Sequence, residues 1–180
     1  MRQNENDVRA LGQALIAECE RRLFDESLPR LKKCLALLAE EEIWFRPNNE
    51  TVSVGNLVLH LCGNVRQWIL SGLGGAADGR QRAQEFSAAG PLPTSQLLHL
   101  LDATMTDAKT VLQHLEPGSL STVHPVQGFQ ESAVGILVHV VEHFSYHTGQ
   151  IAYFVKARKG VDLGFYRGIN LGKIGATAVQ

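Results

Sequence analysis

Four segments of this 180-residue chain carry apolar residues at the 3.6-residue spacing of a helix buried on one face, and the stretches between them hold most of the proline and much of the glycine. That pattern predicts an all-α fold, a helical bundle closed around one core. The first segment spans about Asn6 to Glu42, with Leu11, Leu15, Leu23, Leu31, Leu35 and Leu38 among its apolar positions. Pro29 should kink or split it near Ser27, because proline removes a backbone donor and collides with the preceding turn. After the linker Arg46 to Thr51, Ser53 is placed to cap a second helix over roughly residues 54 to 71, which ends at Gly72, Gly74 and Gly75. The stretch Leu73 to Pro93 is too long and polar for a simple turn and reads as an ordered excursion over one end of the bundle. Thr94 is the expected cap of a third helix reaching about Leu115, stopped by Pro117-Gly118. A polar loop then leads to Ser132 and a strongly apolar fourth helix over about 132 to 158, closed by Gly160. The Gly-rich tail 161–180 shows no periodicity.

This length suits a single domain, residues 1–180, whose core needs no disulfide support. Seventeen Lys and Arg against eighteen Asp and Glu leave a net charge of -1, without the basic field that nucleic acid or an anionic membrane requires. Cys19, Cys34 and Cys62 share no C-x-x-C spacing and sit in helical patterns, as buried thiols of a reducing compartment do. With a polar amino terminus and no apolar run long enough for a signal or a membrane span, the expected location is the cytoplasm.

The polar residues inside the apolar helices carry the functional signal. Asn56, His60 and Asn64 recur every four residues on the second helix, whose other faces hold Val54, Leu57, Val58, Leu61, Val65, Trp68 and Ile69. The fourth helix has a matching stripe of His139, His143, His147 and, one turn on, Gln150. A buried unpaired polar side chain costs roughly 1 to 3 kcal/mol, so the two stripes are expected to face each other across an internal polar pocket, where bundles build their metal sites. Histidines at i and i+4 lie one above the other and can offer two imidazole nitrogens to one divalent ion, with His60 as a third ligand from the packed helix. Taken singly, a histidine on an apolar helix is more often a hydrogen-bonded core residue; the pair raises the metal reading.

Two pairs compete. His139-Val-Val-Glu142-His143 matches the inverted zincin pattern H-x-x-E-H, in which the glutamate is a base, although only Asp162 follows as a further acidic ligand. Spacing alone does not choose between His139 with His143 and His143 with His147, and His139 could equally support a ligand from outside. Cys62 lies about 200° round the helix from His60 and is rejected as a ligand. His99, His114 and His124 have no partner at ligand spacing, and Trp68, Phe144 and Phe154 are read as core. No Walker loop, G-x-S-x-G elbow or dinucleotide fingerprint occurs.

The segment Asn56 to Trp68, with His60-Leu-Cys-Gly63-Asn64 as H-L-x-G-N, the cluster Asp78-Gly-Arg80-x-Arg82-x-x-Glu85-Phe86, and His143-x-x-Tyr146-His147-x-Gly149-Gln150-Ile151 together resemble the DinB-like superfamily over about residues 42 to 160. The resemblance implies an up-down-down-up four-helix bundle, often a homodimer, with His60, His143 and His147 as metal ligands, and so favours His147 over His139. It also implies reactions of the thiol S-transferase kind on small molecules, since relatives use low-molecular-weight thiols. The expected function is that of a metal-dependent enzyme on a small molecule, of thiol S-transferase or hydrolase type; the alternative is a non-catalytic dimeric bundle with a structural metal or none, acting as a stress or interaction module. A three-histidine site suits zinc or nickel, and also iron or manganese. Candidates to orient substrate are Asn64, Gln67 and Gln150, with Glu142 a base only if it turns inward, and the Asp78 to Phe86 segment a possible cover.

Overall fold

The structure, a computed structural model, describes residues 2–90 and 92–173. It is mostly helical, with one small two-stranded sheet. Helix α1 (Arg2–Glu20) passes without a break into a π-helical stretch, Arg21–Ser27, and then into α2 (Leu28–Leu35). The wider turn ends just before Pro29, which enters α2 in its first turn, where a missing N–H costs least. Thus the expected irregularity near Ser27 is a π segment. The first helix stops short of Glu42: the chain leaves it after Leu35 and re-enters a single turn, α3 (Glu40–Ile43), because the Glu42 carboxylate folds back to accept from Ala39 N–H. Leu11 is 73% exposed, so the apolar face of α1 is buried only from Ile16 onward.

Helix α4 (Val54–Val65) begins at Ser53, whose hydroxyl accepts from Asn56 N–H as the sequence predicts, and continues as a second π stretch, Arg66–Ser71. The excursion 73–93 contains α5 (Arg82–Ser87), which packs on α4. In α6 (Thr94–His114) the Thr94 hydroxyl is not the cap; the Glu40 carboxylate accepts from Thr94 N–H at 3.0 and 3.1 Å, tying α3 to α6. The loop expected before Ser132 is instead a hairpin of β1 (Val123–Val126) and β2 (Phe129–Ser132). Its turn places Gln127 and Gly128 at φ 51° and 82°, the left-handed pair of a two-residue hairpin loop. Ser132 then caps α7 (Ala133–Lys159), which ends at Gly160 in the left-handed conformation.

Helix α4 packs on α6 and α7, and α2 packs on α7. The core they share includes Leu31, Leu35, Leu61, Ile69, Leu101, Ile136, Val140 and Phe144, all fully buried. Of the tail, residues 174–180 lie outside the described residues; before them, Leu163 is buried and Arg30 stacks over Phe165 and Tyr166. Among the described residues no helix is long and apolar enough to cross a membrane.

Candidate metal centre

The two polar stripes meet. Along the seam between α4 and α7, His60 pairs with His143 and Asn64 with His139, so the helices run antiparallel and their polar faces stay in register turn by turn. Nitrogens of His60, His143 and His147 all lie within 4.8 Å of one another. The closest pair, His60 Nε2 and His143 Nε2, is 3.1 Å apart. Two nitrogens bound to one zinc at the usual distance of about 2.0 Å stand about 3.3 Å apart at a tetrahedral angle, so this spacing fits two ligands of one ion.

The other ring nitrogens explain which atoms are free to coordinate. His60 donates Nδ1–H to Glu85 Oε2 at 2.8 Å, which leaves the Nε2 lone pair facing His143. Arg80 holds that carboxylate from the far side, donating from Nε to Oε1 at 2.7 Å and from Nη2 to Oε2 at 2.9 Å. Arg80 Nη2 also lies 3.1 Å from His60 Nδ1, but both atoms are donors in this tautomer, so they meet around a shared acceptor and not through a hydrogen bond. Gln67 accepts from Arg80 Nη1 and donates to Asp78, whose other oxygen accepts from Arg80 N–H. The Arg80 and Glu85 side chains are only 4% and 10% exposed, a buried pair with its donors and acceptors satisfied. Burial works against the charge of Glu85, yet hydrogen bonds from His60 and Arg80 outweigh it and hold the carboxyl below its ordinary value. Gly63 makes this approach possible, since a Cβ there would meet Glu85 Oε1 at 1.9 Å.

His147 donates Nδ1–H to Gln150 Oε1 at 2.7 Å, and the Gln150 amide donates in turn to the Tyr146 hydroxyl. Its Nε2 is thereby left as the lone pair. His143 Nδ1 is buried with no partner. Burial, reinforced by the neighbouring His147, His60, His139 and Arg80, pushes His143 down to about 3, and burial also lowers His147, so both rings are neutral and ligand-ready at physiological pH.

His139 has a different place. Its Nε2 faces the Asn64 amide at 3.1 Å, and its ring stacks on Trp68 with centroids 3.6 Å apart and planes 20° from parallel. It is outside the three-histidine group, and Glu142 is exposed beside Glu18, Cys19 and Arg22, away from the seam. The inverted zincin arrangement is therefore not formed. Asn64 serves His139, and Cys62 is buried without joining the group. Asn56, fully buried, accepts from Ser53 N–H and from Arg46, and donates to the carbonyls of Glu85 and Ala88, so it straps α5 onto α4. Phe86 closes over His60 with ring centroids 4.7 Å apart. The Asp78 to Phe86 segment thus both pairs its own charges and covers the site. Sequence reading missed Glu85 as the partner of His60, although the glycine at position 63 marks where another chain segment must approach closely.

A family model described as "Protein of unknown function (DUF1572)" matches residues 13–166, which include every residue of this cluster. The chain belongs to the DUF1572 family. Comparison of this DUF1572 member with curated proteins and with solved structures returned no match.

Proposed function

We propose that this DUF1572 member is a DinB-like, metal-dependent enzyme acting on a small molecule, a thiol S-transferase or hydrolase, with His60, His143 and His147 as the metal ligands. Its frame is a single domain arranged as an up-down-down-up four-helix bundle, and it works in the cytoplasm as a homodimer. The observation that carries the reading is the convergence of three imidazoles, two of them oriented by acceptors on Nδ1, with no fourth His, Cys, Asp or Glu joining the group among the described residues. A structural zinc is usually closed by four protein ligands, and a catalytic one keeps a position open.

A divalent ion held there would supply Lewis acidity, lowering the pKa of a thiol or water so that it becomes a nucleophile near neutral pH. The chain's own residues prepare the site. Glu85 and Gln150 hold protons on the far nitrogens of His60 and His147, Phe86 excludes water from one side, and Arg80 offsets the Glu85 charge. Zinc and nickel fit three neutral nitrogens, as do iron and manganese. Cobalt-substituted protein titrated with a small thiol tests the open position. A change in the visible spectrum on thiol addition is expected; a spectrum indifferent to thiol and to azide would mean a closed site and favour the non-catalytic dimeric bundle.

A further inference from the structure

Next to the histidines, residues that precede His60 on α4 and follow His147 on α7 line a cavity of about 800 Å³. Its walls are mainly apolar, from Val54 and Leu57 on α4, Phe45 and Val52 before it, and Ile151 and Phe154 on α7. The volume falls within the range of pockets that bury small ligands. Glu50, Thr51, Gln150 and Arg158 are among its polar lining, and of these Gln150 also holds His147 Nδ1, which joins the cavity wall to the histidine group. At 1.5 Å rise per residue, Phe154 stands only about 10 Å along α7 from His147, within the span of one small molecule.

Gly149 supplies a second, independent observation. Glycine inside a helix is less stable than alanine, and elsewhere in this chain packing explains it, as at Gly63 under Glu85. At Gly149, in the middle of α7 and on the cavity wall, nothing lies within 4 Å of where a Cβ would stand. The helix therefore forgoes a side chain where no neighbour demands it, at a position that lines the cavity.

We infer that this cavity takes the apolar body of the substrate, whose metal-binding head reaches the three histidines past Gln150; the inference rests on the metal-enzyme reading above and narrows its substrate to molecules with an aliphatic or aromatic tail. Arg158 on the cavity wall is already paired with Glu42 and stacked on Phe45, so it is not held free for a negatively charged tail.

Two probes share a metal-chelating head and differ in the tail: acetohydroxamate and octanohydroxamate, titrated into full-length protein loaded with zinc or nickel after its metal content is measured. Octanohydroxamate should bind on the order of 100-fold more tightly, part of the gain available from the longer chain. Gly149→Leu and Ala157→Trp, which fill the cavity near and far from His147, should lose that gain while keeping metal content and acetohydroxamate affinity. Equal affinity for the two probes, or a gain untouched by both variants, overturns the inference while leaving the metal site standing. A change of oligomeric state in Ala157→Trp with the gain retained also overturns it and assigns the face to a second copy of the chain. A wild type that takes up no metal fails at the earlier step, and both readings fall.

Discussion

His60 has two ring nitrogens with opposite duties, and the side chains around it fix which does which. Glu85 takes the proton of Nδ1, so the Nε2 lone pair is turned to the ion. Replacing that carboxylate by an amide, Glu85→Gln, leaves size unchanged but removes the charge and lets the amide be presented to His60 as a donor. Metal affinity, read by competition with a chromophoric chelator, should fall about 10- to 100-fold. Gly63→Ala should give the same defect without altering any charge, because its Cβ occupies the place of Glu85 Oε1. Unchanged affinity in both variants would mean that the contact does not orient His60. The depressed histidines also set a pH dependence. Because His143 is held at about 3 in the fold, and His139 and His147 are lowered too, the unfolded chain binds more protons than the native one below the ordinary histidine value near 6.5. Stability of chelator-treated protein should therefore be full above that value and decline as pH falls through the window toward 3, with Glu85 adding to the loss below its ordinary value. Thermal melts from pH 8 to pH 4 check this; a melting temperature that rises on acidification would contradict it.

Besides the His60–Glu85 contact, helix α4 and the short α5 region are joined through one buried amide. Asn56→Ala would orphan the carbonyls of Glu85 and Ala88 and release Arg46, and should cost about 1 to 3 kcal/mol. Chemical denaturation measures the loss, and faster proteolysis after Arg80 or Arg82 would show that the covering segment has loosened; a loss of stability with no change in cleavage would place the strap elsewhere. The long helices were legible in sequence because each buries one face, and their caps at Ser53, Ser132 and Gly160 are local chemistry. The hairpin was not: its strands are four residues each, and His124 and Pro125 interrupt the alternation that marks a strand. Nor does local pattern reveal the π turns, within which Leu23 and Trp68 are buried. The His60, His143 and His147 group could be read from i, i+4 spacing and family resemblance together, whereas Glu85 stands twenty-five residues from its partner and depends on the path of the chain between them. Trp68 continues the stripe of Asn56, His60 and Asn64 by one more turn, and that periodicity could have pointed to its stack on His139.

Across the molecule, burial lowers His139, His143 and His147 and raises the thiols. Cys19 and Cys34 are pushed up to about 11 and Cys62 to about 12, each chiefly by burial. A thiol-specific chromogenic reagent should find none of the three in native protein at pH 8 and all of them in denaturant. Rapid labelling of a native cysteine would show that the core around it opens. Chemistry on a thiol substrate would then use an external thiol at the histidine cluster. The most direct test of that cluster is metal stoichiometry per chain in purified protein, wild type beside His60→Ala, His147→Ala and His139→Ala. About one ion per chain, lost in the first two variants and kept in the third, is the predicted result. Wild-type protein that holds no metal after incubation with zinc or nickel, or a site lost in His139→Ala and kept in His147→Ala, would contradict it.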